Sequence, residues 1–275
     1  MSLYDSQIEK LDLPCNDIFV DTPYGKTHLV ETGDTAGKPL LVFHGGNSTT
    51  AYNLLACSYL LGDFHIYAVD TIGHPGKSAE VSLSAQNYDY GKWAGAVIEA
   101  LGYDRMVCFG TSFGAGILAK TMCVSPEKIE KALLLVPSGI KNAPAYKLIN
   151  MAWPMIMYQV TKNDQWLVKG ILPMAISEDN IDEDTFKTVK CSIDNVKIKA
   201  GMPADVDPAA MKKCLAPTLV LAAEKDCLFP AELVIPRAEA IIPNCKTYLL
   251  KDRGHMNYLT EDEKKMIIEF LLKTE

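Results

Sequence analysis

The chain lacks any run of basic residues, and its 27 Lys and Arg are outnumbered by 34 Asp and Glu. A net charge of −7 offers no surface for neutralising phosphates, which excludes a nucleic-acid partner. The absence of a polybasic cluster argues equally against docking on an anionic membrane. No apolar run reaches the roughly 18–20 residues of a membrane span. The opening residues, Met1-Ser2-Leu3-Tyr4-Asp5-Ser6, lack the basic-then-apolar pattern of a signal peptide. Eight cysteines (15, 57, 108, 123, 191, 214, 227 and 245) contain no C-x-x-C pair, so free thiols in a cytoplasmic chain are expected. The histidines lack metal-ligand spacing, no G-x-G-x-x-G follows a strand pattern and there is no phosphate loop, so neither metal nor cofactor is expected. There is no internal repeat and no low-complexity tract. A small molecule is left as the partner, and a homodimer is compatible with these residues.

What is present is ordinary globular material. With 275 residues, 48% of them hydrophobic, the chain can build one large domain or a domain with an insertion, and disorder is excluded as its main state. Asp17 to Thr22 and Lys26 to Thr32 flank Pro23-Tyr24-Gly25 and read as a hairpin. Short apolar strands then alternate with helical patterns. Strands are expected at Leu40–Phe43, His65–Val69, Met106–Phe109, Lys131–Val136, Thr218–Ala223 and Lys246–Leu250. Helices are expected at about Thr49–Leu61, Gln86–Leu101, after Ser112, at Ala231–Ile241 and at Glu261–Lys273. In the second of these, Tyr90, Trp93, Val97 and Leu101 share one face. Such alternation implies an α/β fold with a parallel sheet covered on both sides. Between Gly139 and Ala216 the rhythm breaks into Pro-punctuated helical stretches and an acidic patch (Ser177 to Asp184), as an insertion into the sheet would.

Gly110-Thr111-Ser112-Phe113-Gly114 reads G-x-S-x-G between an apolar strand and a helical stretch. There the glycines let strand and helix cross closely and the serine hydroxyl stands at a helix N-terminus, where negative charge is favoured. The pentapeptide alone is a common pattern, but three further features follow strands in order. His44-Gly45-Gly46-Asn47 can turn backbone N–H groups toward a substrate oxygen. Asp226 follows the Thr218–Ala223 strand, and His255 follows the last strand. Open α/β sheets gather ligands at these C-terminal strand ends.

On these motifs the chain resembles the α/β-hydrolase superfamily, in particular the capped, carboxylesterase-like serine hydrolases. The likeness spans about Asp17 to Lys273 and is weakest across the insertion. Asp70-Thr71-Ile72-Gly73-His74-Pro75-Gly76-Lys77-Ser78 also resembles the family's D-x-x-G-x-G-x-S loop, with one extra spacing. The resemblance implies a mostly parallel eight-stranded sheet, a core of residues 1–138 and 217–275, and a helical cap over 139–216. It implies Ser112 as nucleophile, His255 as base and Asp226 as its orienting carboxylate. The backbone N–H groups of Gly46 and Phe113 would form the oxyanion hole, with Asn47 a neighbouring donor.

Rivals stay in view. Glu224 stands two residues before Asp226, and Asp252 lies very near His255 in sequence. His28, His65, His74 and His44 fit the base role less well than His255. Met151, Trp153, Met155, Met157 and Trp166 either line an apolar acyl pocket or only pack the insertion onto the core. The leading expectation is hydrolysis of a small to medium, uncharged carboxylic ester. A C–C bond, thioester or lactone hydrolase with the same residues, a peptidase resembling the prolyl iminopeptidases, and a low-turnover ligand-binding member of the fold are the alternatives. Asp stands at the elbow in dehalogenases and epoxide hydrolases, and Ser112 disfavours both.

Overall fold

The computed structural model describes residues 2–196 and 199–273. Eight strands form one sheet in the order β1-β2-β4-β3-β5-β6-β7-β8. They are β1 (Asn16–Thr22), β2 (Gly25–Gly33), β3 (Lys38–Phe43), β4 (Phe64–Val69), β5 (Met106–Thr111), β6 (Ile129–Leu135), β7 (Thr218–Ala223) and β8 (Cys245–Leu250). Only the β1–β2 and β2–β4 pairings are antiparallel, and the tight turn into Gly25 (φ +124°) returns β2 beside β1. From β4 onward every pairing is parallel and every connection crosses a face of the sheet.

The helices are α1 (Leu3–Glu9), α2 (Thr50–Ala56), α3 (Asp89–Ala100), α4 (Phe113–Val124), α5 (Ile149–Thr161), α6 (Asp164–Ala175), α7 (Glu183–Asn195), α8 (Pro208–Met211), α9 (Ala231–Ile241) and α10 (Glu261–Leu272), of which α5, α6 and α7 pack around a small core of their own and the others lie against the sheet's two cores. The strands' two-residue alternation sorts their side chains between two cores. Leu41, Phe43, Cys108, Leu134 and Val220 join the face holding Tyr90 and Trp93 of α3. Leu40, Val42, Phe109, Leu133 and Leu221 join the face holding Leu54 of α2 and Ile267 of α10. Because both faces are buried, these strands read as continuous apolar runs.

Several boundaries differ from the expected ones. The helix expected over Thr49–Leu61 breaks at Cys57 into α2 and a 3₁₀ turn, Ser58–Leu60. Residues 86–88 precede α3 and do not extend it. The helix α1 was absent from the sequence reading. All eight cysteines are free thiols. Between β6 and β7 the described residues contain helices and no strand. Lys197 and Ile198, inside the expected cap, lie outside the described residues. Among the described residues no helix is long and apolar enough to cross a membrane.

Parallel register fixes what gathers at the sheet's C-terminal rim. Phe43 pairs with Gly110, Thr111 with Leu135, Leu135 with Leu221, and Ala223 with Leu250. The loops leaving β3, β5, β7 and β8 therefore emerge side by side. These are the loops that carry His44–Asn47, Ser112, Asp226 and His255.

Candidate active site

Ser112 joins β5 to α4 with φ 54° and ψ −113°, a conformation rarely adopted by a side-chain-bearing residue. It costs on the order of 1–3 kcal/mol and persists only where surroundings impose it. Here they do. The Ser112 N–H donates to the Leu135 carbonyl (2.9 Å), and its own carbonyl accepts from the Ser138 N–H (3.2 Å), the Ser138 hydroxyl (3.0 Å) and the Gly116 N–H (3.1 Å). Both flanking glycines are sterically required. A Cβ on Gly110 would stand 2.6 Å from the Gly114 carbonyl oxygen, and one on Gly114 would strike the carbonyls of Phe43 and His44.

Three side chains form one hydrogen-bonded line. Ser112 Oγ lies 2.8 Å from His255 Nε2, and His255 Nδ1 lies 2.8 Å from Asp226 Oδ2. Asp226 is buried, and its other oxygen accepts from the N–H groups of Leu228 (2.8 Å) and Phe229 (3.0 Å). A carboxylate so held can only accept, so Nδ1 of His255 carries the proton and Nε2 is left to accept from Ser112. The rival carboxylates face elsewhere. Glu224 accepts from the Asp252 N–H at 2.8 Å, and Asp252 pairs with Lys225 at 2.9 Å.

The His255 loop is held from two sides. Arg253 makes a two-pronged contact with Glu263 of α10 (2.5 and 2.8 Å). The Met256 N–H donates to the Met174 carbonyl of α6 (2.9 Å). Burial alone would raise the Glu263 carboxyl, but hydrogen bonds from Arg253 and the Thr260 N–H outweigh it and hold it below its usual range.

Gly46 follows β3, and a Cβ built on it would lie 3.5 Å from Phe113 Cβ, so the expected donor pair is adjacent. Phe113 is the first residue of α4, whose leading N–H groups have no acceptor within the helix. The adjoining Asn47 takes φ 51°, which asparagine tolerates better than most residues. His44 is buried away from this turn's open side. Its Nε2 accepts from the Thr71 N–H (3.1 Å) and its Nδ1 donates to the Gly45 carbonyl (2.7 Å), so it braces the turn as a neutral ring. Burial lowers its pKa in agreement with that.

A cavity of about 580 Å³ opens over Ser112 and His255. Its walls include Tyr52, Asn53 and Tyr59 from the α2 region, Thr185, Thr188 and Val189 from α7, and Asp179 and Asp182 near its mouth. Sequence reasoning missed the α2 and α7 side chains. The only available signal was that 53, 56 and 59 recur at near-helical spacing. None of Met151, Trp153, Met155, Met157 or Trp166 lines the cavity. Met155 and Trp166 pack with Tyr158, Leu167 and Ile171 in a small core inside the insertion, and Trp153 is exposed. Of the two readings given for these residues, packing is the one the geometry favours.

A family model described as alpha/beta hydrolase fold matches residues 38–172, from β3 through the elbow and into α6. The fold is that of the alpha/beta hydrolases. The chain is similar to carboxylesterase YbfK of Bacillus subtilis, with 21% identity over 98% of this chain and 92% of the relative. The crystal structure of YbfK superposes with a TM-score of 0.81, covering 98% and 96% of the two chains at 21% identity. Naproxen esterase from the same organism gives 0.79, covering 97% and 93% at 19% identity. A meta-cleavage product hydrolase from Pseudomonas fluorescens gives 0.75, covering 92% and 96% at 15% identity. At these identities the structural likeness speaks for the fold.

Proposed function

We propose that the protein is a serine hydrolase cleaving a small to medium, uncharged carboxylic ester through an acyl-enzyme. The observation that carries this is the unbroken Ser112–His255–Asp226 line, 2.8 Å at each step, facing a cavity. Ser112 Oγ attacks the ester carbonyl carbon while Nε2 of His255 takes its proton. Asp226 keeps the imidazole in the tautomer that can do so and stabilises the imidazolium that forms. The oxyanion is met by the N–H groups of Gly46 and Phe113. The imidazolium then protonates the departing alcohol, and water repeats the sequence on the acyl-enzyme to release the acid.

The carboxylesterase names of the two Bacillus subtilis relatives favour the ester bond among those this chemistry can reach. We take residues 139–216 as the cap and residues 1–138 and 217–275 as the core, with Ile140, Val206, Met211 and Cys214 at the ends of the inserted stretch packing into the core. Hydrogen bonds from Met256 to Met174 and between Tyr52 and Thr185 support that division, since they pin the inserted helices above the rim.

The test is hydrolysis of p-nitrophenyl esters of two to twelve carbons by the wild type and Ser112→Ala. The expected result is turnover that falls by a factor of about 10⁴ or more in the variant. No turnover from a folded wild type would overturn the ester reading and favour a C–C, thioester or lactone bond.

A further inference from the structure

The helix α5 has no charged residue from Ile149 to Thr161, yet only one side of it is covered. On that inner side Met155 and Tyr158 pack with Leu167 and Ile171. Met151 receives the Cys227 thiol at 3.7 Å, one residue from Asp226. The outer side carries Ile149, Trp153, Ile156 and Val160, and Tyr146 in the 3₁₀ turn Ala145–Leu148 continues the line. These five side chains are between 54% and 77% exposed. A helix apolar on every side is ordinarily buried on every side. Single exposed hydrophobics are common, but five in one line mark a surface that something covers.

Spacing and charge decide the occupant. Steps of three, four, three and four residues separate the five positions. That is the narrow seam one facing helix fills, as in a coiled coil. A helix lying on a bilayer has a broader apolar face flanked by Lys and Arg. The exposed residues flanking this seam are Asn150, Ala152 and Gln159, and the chain's net charge of −7 opposes anionic lipid. Uncharged flanks select no partner of opposite sign and do not repel an identical helix. The line is also complementary to itself. With two copies antiparallel about an axis between Trp153 and Ile156, Ile149 of each meets Val160 of the other, and Trp153 of each meets Ile156 of the other. The exposed surface of the five residues is on the order of 600 Å² per copy, at the upper end for a monomer's largest apolar patch and near the ~800 Å² per partner of a stable interface. We infer that two copies of this chain associate through antiparallel α5 helices along this seam. The inference does not depend on the hydrolase reading.

Sedimentation velocity of the full chain across about 0.1–50 μM tests it, since interfaces of this size span that range of affinity. Wild type is expected to be dimeric at the upper end. Trp153→Glu and Val160→Glu alter exposed side chains, so both should keep the wild-type circular dichroism. Each should raise the dimer dissociation constant by about thirtyfold or more. Leu215→Glu, at an exposed leucine outside the seam, should leave that constant unchanged. A wild type that stays monomeric throughout overturns the proposal, as does a dimer that neither seam variant weakens. Flotation with neutral phosphatidylcholine vesicles covers the lipid alternative. A monomer that floats with them, and no longer does so as Trp153→Glu, would give the seam to a membrane and overturn the second copy.

Discussion

At the scale of single residues, most of the candidate site rests on Asp226, because three acidic residues near the ends of β7 and β8 could in principle orient His255. Sequence order could rank Asp226, Glu224 and Asp252 but could not orient them. The geometry separates them, since only the Asp226 carboxylate reaches Nδ1. Asp226→Asn presents an amide that can donate where Nδ1–H also donates, favouring the wrong tautomer. The loss expected in kcat is roughly 10³–10⁴ with the fold intact. Glu224→Gln, whose hydrogen bond to the Asp252 N–H survives, should stay within about twofold. If both variants lose comparable activity, the assignment to Asp226 fails. Ser112 and His255 were legible because their chemistry depends on residue type and on strand ends, both written locally. The place of Asn53 and Tyr59 in the cavity wall was not, since a linear pattern does not express which side of α2 faces the cavity.

At the scale of elements, the core strands were readable because burial on both faces leaves unbroken apolar runs such as Leu133-Leu134-Leu135. The helix α1 was not readable. It has seven residues, too few for a helical period to show, and its partners are distant in sequence, Tyr4 and Ile8 packing on the core face that holds Leu54 while polar contacts reach further. Gln7, fully buried, donates to Thr188 of α7 (2.9 Å), and Lys10 just beyond the helix pairs with Asp184 (2.7 Å). Tyr4 donates to the buried Asp70 carboxylate (3.2 Å). The N-terminal helix thus straps α7, one wall of the cavity, to the core. Gln7→Leu removes the partner of a buried threonine and should cost about 1–3 kcal/mol of stability. Its distinguishing effect is local. Hydrogen exchange should speed up in α7 well before β5 or β6, and KM should rise more than kcat falls. Uniform acceleration across the sheet would show that α1 only adds global stability.

At the scale of the whole molecule, the fold stores a sensitivity to mild acid. His74 is buried against Phe113 (ring centroids 4.6 Å apart), and neither ring nitrogen has a partner among the described residues. Burial, with a smaller effect from nearby His44, lowers its pKa to about 3. In the unfolded chain the value returns to about 6.5. Between pH 6.5 and 3 the unfolded state therefore binds a proton that the folded state refuses, so stability falls as the pH drops through this window. At pH 5 the difference amounts to roughly 2 kcal/mol at 1.36 kcal/mol per unit. Glu263, held below its ordinary range, acts in the same direction but lower. Its contribution is present above the unfolded carboxylate value of about 4.3 and is lost only as pH falls beneath that. The interval from pH 7.5 to 5 thus isolates the histidines. His74→Leu gives up no hydrogen bond. Whatever packing it loses at pH 7.5, its stability relative to wild type should improve by about 2 kcal/mol on going to pH 5, read from urea midpoints at both values. Parallel pH profiles for the two proteins would mean that His74 is protonated in the fold, and that a proton acceptor reaches its ring.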